Sequence, residues 1–261
     1  MALHQRKAMR PMNRFGLLRN IPAHVKRAVR QACGFGCVIC GNPFIQYHHS
    51  DVSYADAAIH DPKKITLLCG GCHDRVSRGT YSDEKVREHI EKPYCLTRGP
   101  AFADLDYGSV APHVRFAGSE FEDCTFPVRV HDYGLIRFEK PAEAVAPVQI
   151  SAFFANTRGE ISLVISRNEV LLMPHNWDAT AEGTHIRIWD AAREPSLSLN
   201  LIPRQSIEIE RIESLLLGWR LSGDSNSLKV TPPGAAGPST FSGNRISGSH
   251  VGYQFGRPML R

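Results

Sequence analysis

Apolar Val25 and Val29 are spaced by four after Pro22, with Lys26, Arg27 and Arg30 around them. This spacing predicts a short amphipathic helix with a basic face, and Pro22 sits where a helix start tolerates proline. Residues 43–50 and 64–69 are short apolar or aromatic runs bounded by Gly and Pro. They predict two β-strands joined by a long loop. A helix start is predicted from Cys72 to Ser77.

After His89 the pattern changes. Glu91 to Pro112 contains Pro93, Gly99, Pro100, Gly108 and Pro112 and reads as a linker. Beyond it come short, often alternating runs: Val128 to His131, Leu135 to Phe138, Val148 to Phe154, Ile161 to Ile165, Val170 to Met173, Ile186 to Trp189, Leu197 to Leu201, Ile207 to Ile212 and Leu215 to Leu221. Turns such as Asn156 to Gly159 and Ala181 to Gly183 separate them, which predicts an antiparallel sandwich or open barrel. Residues 231–261 are rich in Gly, Ser and Pro yet carry Phe241, Ile246, Val251, Tyr253 and Phe255. A flexible tail has little need of those, so a terminal strand or a segment that orders on a partner is expected. The expected class is α+β: a basic arm (1–20), a small mixed unit (21–92), a linker (93–112), a β-sandwich-like domain (113–230) and the C-terminal segment (231–261).

At 261 residues and 42% hydrophobic, with no apolar run long enough for a bilayer, the chain fits two modest domains and no membrane. The Arg-rich start lacks the apolar segment of a secretion signal, so a cytoplasmic location is expected. Charge is uneven. Residues 1–100 hold 16 Lys or Arg against 8 Asp or Glu, whereas residues 101–261 hold 15 against 18. No acidic residue precedes Cys37, while Arg6, Lys7, Arg10, Arg14, Arg19, Lys26, Arg27 and Arg30 line that segment. The pattern suits a phosphate backbone, against the plainer reading of a solvated basic arm.

Chemistry concentrates in the small unit. Cys37-Val-Ile-Cys40 and Cys69-Gly-Gly-Cys72 form two C-x2-C pairs around Tyr47-His48-His49 and run into His73. Four thiolates complete a tetrahedral Zn2+ site and leave no position for substrate, so a structural role is expected. A unit this small gains folding energy from such a site. Cys33, Cys95 and Cys124 lack partners of this spacing and read as buried small hydrophobes; His24, His89, His113 and His185 receive no role. His60 is the exception: it lies in the loop facing the predicted site and precedes the Asp61-Pro62 step, and a loop-structural role is favoured for it.

Ile21-Pro22, the run Cys-Gly-Phe-Gly-Cys-Val-Ile-Cys-Gly from Cys33, Tyr47-His48-His49, His60-Asp61-Pro62, Leu67-Leu68-Cys69 and Cys72-His73 occur in this order. In this the stretch from Ile21 to about His89 resembles the HNH endonucleases, also called the ββα-metal or His-Me finger family. The resemblance implies a metal-dependent nuclease acting on DNA. It makes His49 the general base, and His48 and His73 the ligands of one catalytic divalent cation, Mg2+, Mn2+, Ni2+ or Zn2+. Lys26, Arg27, Arg30, Lys63, Lys64, Arg75 and Arg78 are the candidate nucleic-acid contacts. The family's Asp-Pro-Asp-Asn is here Asp61-Pro62-Lys63-Lys64, so Lys64 stands where an asparagine orients the base. Thr66, Asn42 or a backbone carbonyl are alternative orienting groups. A zinc-stabilised DNA-binding module without catalysis, and an effector activated by a partner or ligand, are the competing readings.

The β-domain carries no P-loop, nucleophile elbow or clustered ligands, and reads as a module for targeting, activation or assembly, with a protein partner or a second copy. Trp177, Trp189 and Trp219 are expected mostly in its core. The layout suits bacterial restriction, phage-defence or mobile-element biology.

Overall fold

The computed structural model describes residues 12–139, 143, 146–191 and 193–257. Arg6, Lys7 and Arg10 of the basic arm lie outside them. The helix predicted after Pro22 forms as α1 (Ala23–Cys33), with Val25, Val29 and Cys33 buried. It ends at Gly34, whose φ of 68° is left-handed and where a Cβ would stand 2.8 Å from Cys95 Cβ; only glycine fits both demands. Next come the strands β1 (Ile45–His49) and β2 (Ile65–Cys69), antiparallel in a register that sets His48 opposite Thr66 and His49 opposite Ile65. Helix α2 (Gly70–Ser77) follows directly, its first turn capped by the Cys69 sulfur accepting from the Cys72 amide. Helices α3 (Asp83–Glu91) and α4 (Tyr94–Thr97) complete the unit. Its own core is built from Ile21, Val25, Val29, Val38, Ile65, Leu67 and Leu68 with three of the cysteines.

The remaining chain is β-structure. In order it forms β3 (Ala101–Asp104), β4 (His113–Phe116), β5 (Ser119–Glu122), β6 (Phe126–Val130), β7 (Tyr133–Glu139), β8 (Gln149–Ala155), β9 (Ile161–Ser166) and β10 (Glu169–Leu172). Then follow β11 (Asp178–Glu182), β12 (His185–Trp189), β13 (Leu197–Ile202), β14 (Ser206–Leu216), β15 (Trp219–Gly223), β16 (Leu228–Thr231), β17 (Ser239–Phe241), β18 (Arg245–Ser247) and β19 (Val251–Phe255). A seven-stranded sheet runs β19-β6-β7-β8-β9-β10-β3, and a ten-stranded sheet runs β11 to β17 with β4, β5 and β18 attached through β14. Buried faces of both sheets share one core, including Val128, Ile150, Leu163, Leu199, Ile209 and Leu221. This is the two-layer β-domain that the alternating runs predict. Most neighbours are antiparallel, but β4 with β14, β5 with β18 and β6 with β19 are parallel.

Several boundaries differ from expectation. The stretch read as a linker holds α4 and β3, and β3 is an edge strand of the seven-stranded sheet. The C-terminal segment supplies β17, β18 and β19, with Tyr253 and Phe255 buried. The run from Leu215 to Leu221 is broken by a tight turn at Leu217 (φ 50°) and Gly218 (φ 84°) that joins β14 to β15. None of the three tryptophans is fully buried.

The small unit is seated on the ten-stranded sheet. The Arg30 side chain forks onto Asp178 at the start of β11, with Nε to Oδ1 at 2.8 Å and Nη2 to Oδ2 at 2.5 Å. Arg27 adds a 3.2 Å contact to the same carboxylate and lies 4.3 Å over the Trp177 ring. Phe35 and Cys95 of the small unit join the sandwich core.

Candidate metal centre and histidine cluster

One tight turn and one strand–helix junction bring the cysteines together. After Cys37 the chain reverses, the Gly41 amide donating to the Cys37 carbonyl at 2.8 Å and the Cys37 amide to Asn42 O at 2.9 Å. The second pair straddles the junction of β2 and α2. Cys40 Sγ is 3.5 Å from Cys69 Sγ and 3.8 Å from Cys72 Sγ, and all four sulfurs lie within 4.8 Å of one another. The hydrogen bond with Cys40 and nearby backbone amides lower the Cys37 thiol from its ordinary range. Four converging sulfurs, one already favouring thiolate, can hold a structural metal ion. Cys33, Cys95 and Cys124 are buried, as expected of small hydrophobes.

Beside this cluster β1 presents its last two residues to different neighbours. His48 meets His73 of α2 edge-on, ring centroids 5.2 Å apart. His49 instead joins the loop after β1, with centroids 5.9 Å from Tyr54 and 5.7 Å from His60. Alternation along a strand separates adjacent side chains in this way. Burial lowers the affinity of both His48 and His49 for a proton, and neighbouring His73 and His60 lower it further. Both rings are therefore neutral at pH 7, with lone pairs available. Ser77, one turn after His73, places its hydroxyl 3.4 Å from His73 Nδ1. Among the described residues, only the cysteines bring three or more ligand-type groups together; His48 and His73 stand as a pair.

The other expected site residues divide into two groups. Lys63, Lys64, Arg75 and Arg78 are exposed around the loop and α2, though Arg78 pairs with Asp74 and Arg75 donates to the Tyr81 hydroxyl. Lys26 is half-buried, its ammonium 5.5 Å over the Tyr47 ring. Arg27 and Arg30 do not form the basic face expected of them. Arg30 is 8% exposed and clamps Asp178 and the Tyr47 hydroxyl, so it joins the two units rather than facing solvent. The side chains offered as alternative orienting groups also go elsewhere: the Thr66 hydroxyl is buried against Cys33 Sγ, and Asn42 Oδ1 accepts from the Phe44 amide. Lys64 contributes its backbone carbonyl, which accepts from the Ser50 amide and ties off the strand after His49.

The sequence does not point to Asp178 or Tyr54, whereas His60 is found beside His49 in the loop expected to face the site. No local pattern marks the first two, because each reaches its neighbour across a long loop or between domains. Among the described residues no helix is long and apolar enough to cross a membrane. No family model, no curated protein and no solved structure matches the chain.

Proposed function

We propose that the protein is an HNH-type, metal-dependent endonuclease that hydrolyses DNA phosphodiester bonds, with the β-domain serving targeting, activation or assembly. The observation that carries this reading is the pairing of His48 with His73, next to His49, on a hairpin and helix that four cysteines pull together. The cysteines fit zinc: a tetrahedron with bonds of about 2.3 Å spaces its sulfurs at roughly 3.8 Å, close to the 3.5 and 3.8 Å found here. That ion would have no open position, so its part is to hold β2, α2 and the Cys37–Cys40 turn together. His48 and His73 are the groups that would hold a second divalent cation, which supplies charge stabilisation at the phosphate and the leaving oxygen.

His49 acts as the base. Half-buried and with its proton affinity lowered by that burial, it accepts a proton from the attacking water without first having to lose one. Exposed Lys63, Lys64 and Arg75 border the histidines and suit the flanking phosphates. The test is plasmid cleavage with Mg2+, Mn2+ or Ni2+ by wild type and by His49→Ala, with zinc content confirming the folded state. Metal-dependent cutting by wild type, reduced about 100-fold or more in the variant, is expected. Lys64 at the usual asparagine position favours a second reading, a DNA-binding module without catalysis. DNA binding without cutting under any of the three cations would select it.

A further inference from the structure

We infer that the short hairpin of residues 12–18 is a DNA-contacting wedge beside the histidines: Phe15 in its turn inserts against the bases, and Arg14 and Arg19 take neighbouring phosphates. The hairpin is small but fixed. Met12 and Leu18 pair as an antiparallel bridge, and the Asn13 amide donates to Leu17 O and the Gly16 amide to Asn13 O, each at 3.0 Å. Asn13 Oδ1 accepts from the Phe15 and Leu17 amides, while its Nδ2 donates to the carbonyls of Tyr54 and Ala57, each at 2.6 Å. Gly16 closes the turn with a left-handed φ of 76°. Residues 13–18 thus strap down the loop that carries His60, with the Leu18 carbonyl 2.8 Å from His60 Nε2 and the Tyr54 hydroxyl donating to Leu17 O. Tyr54 and His60 are the rings beside His49, at 5.9 and 5.7 Å between centroids, so one ring separates the hairpin from His49. A duplex held at His49, with a major groove about 12 Å wide, is within its reach.

What this rigid turn exposes is apolar. Phe15 is 55% exposed, Met12 60%, and Ile59, the neighbour of His60, 70%. The turn uses its polar groups on its own backbone and on the loop beneath it, and leaves these large side chains in water, against what burial favours. The cations among them select the partner. Arg14 lies 4.9 Å over the Phe15 ring and Arg19 5.5 Å over the Tyr54 ring, and no acidic residue precedes Cys37. Arg14 also pairs with Asp56, but both side chains are exposed, and a surface ion pair of this kind yields readily to a phosphate. A second copy of this chain would set like charges against each other, whereas DNA offers phosphates to the arginines and base faces to the ring. An apolar side chain flanked by arginines is the combination that enters a minor groove and unstacks a base step.

The inference rests on reading DNA as the substrate, but its test is binding rather than cleavage. Affinity of the full chain for a short duplex is measured by fluorescence anisotropy without added divalent cation, and 2-aminopurine placed at successive positions of the duplex reports unstacking. Wild type is expected to bind and to brighten 2-aminopurine at the wedge position. Phe15→Ala weakens binding roughly 10-fold and removes the brightening, whereas Phe15→Trp keeps both. Arg19→Gln lowers the log–log salt slope by about 0.9. Phe15 is exposed and its side chain carries none of the hairpin's hydrogen bonds, so these variants keep the fold. Affinity and 2-aminopurine signal unchanged in Phe15→Ala overturn the proposal and leave the nuclease reading standing. A wild type that dimerises through this patch, with Phe15→Ala monomeric and its DNA affinity untouched, overturns it as well. Binding that depends on Phe15 in a wild type that cuts nothing with Mg2+, Mn2+ or Ni2+ would uphold the wedge and overturn the nuclease reading instead.

Discussion

His48 and His49 are chemically identical neighbours that the strand sends to different partners, one to a helix histidine and one to the half-buried loop rings of Tyr54 and His60. Burial lowers both below the ordinary 6.5 of an imidazole. The direction fixes the sign of the pH response. Both rings stay neutral until the pH drops beneath that value, so cleavage should be flat above about pH 7 and fall in acid as the two protonate. A kcat/KM profile from about pH 5 to pH 8 checks this; activity that rises continuously to alkaline pH would point to a different base. The cysteines and His48, His49 and His73 could be picked out from sequence because metal-binding residue types are few and their local spacing is constrained. His60 and Tyr54 could not be placed in the same way. Their positions depend on a strap of residues 13–18 reaching the loop across about forty residues, held by Asn13 and by the Leu17 and Leu18 carbonyls.

At the scale of elements, α1 shows where periodicity succeeds and where it stops. Val25 and Val29 are buried as their spacing predicts, but Arg30, one step from Val29, turns inward because Asp178 waits 148 residues later in the chain. Helical spacing carries no information about such a partner. The pair is almost dry, with side-chain exposures of 10% and 3%. Asp178→Ala strands a buried guanidinium and should cost about 3–5 kcal/mol, read from denaturant midpoints. Replacing both partners, Arg30→Met with Asp178→Leu, should recover most of that loss. If the double variant is no better than the single one, the strain lies outside the ion pair. Strand β14 teaches a similar lesson. Its buried positions switch from odd (Ile207, Ile209) to even (Ile212, Ser214, Leu216), and the register with β13 shifts opposite Ser198 and Leu199. One extra residue at a bulge changes the inward face, which is why a simple alternation count reads the strand only in pieces.

At the scale of the whole molecule, two cores of unequal kind share one chain. The small unit gathers four cysteines that could hold a metal ion, while the two sheets share one apolar core. Stripping metal with a chelator should therefore abolish helical signal and histidine chemistry while the β-sheet signature persists, seen as separate transitions in far-UV circular dichroism. A single cooperative loss would show that the Arg30–Asp178 junction and the shared Phe35 and Cys95 packing couple the two. Charge also reads differently once folded. With Arg27 and Arg30 turned to Asp178, the exposed cations open to a phosphate under the proposed nuclease reading are residues such as Lys63 and Lys64. Lys64→Ala should lower the salt dependence of DNA affinity by roughly 0.9 in the log–log slope.

The parallel pairings have a consequence for how this chain is made. On a ribosome β4, β5 and β6 emerge long before their partners β14, β18 and β19. All four cysteines and all the clustered histidines, by contrast, have emerged by His73. The nascent chain thus gathers the four clustered cysteines early and then carries unpaired strand edges until residues near Phe255 are translated. Any stall before β19 is made leaves the four clustered cysteines assembled on a scaffold that cannot yet close.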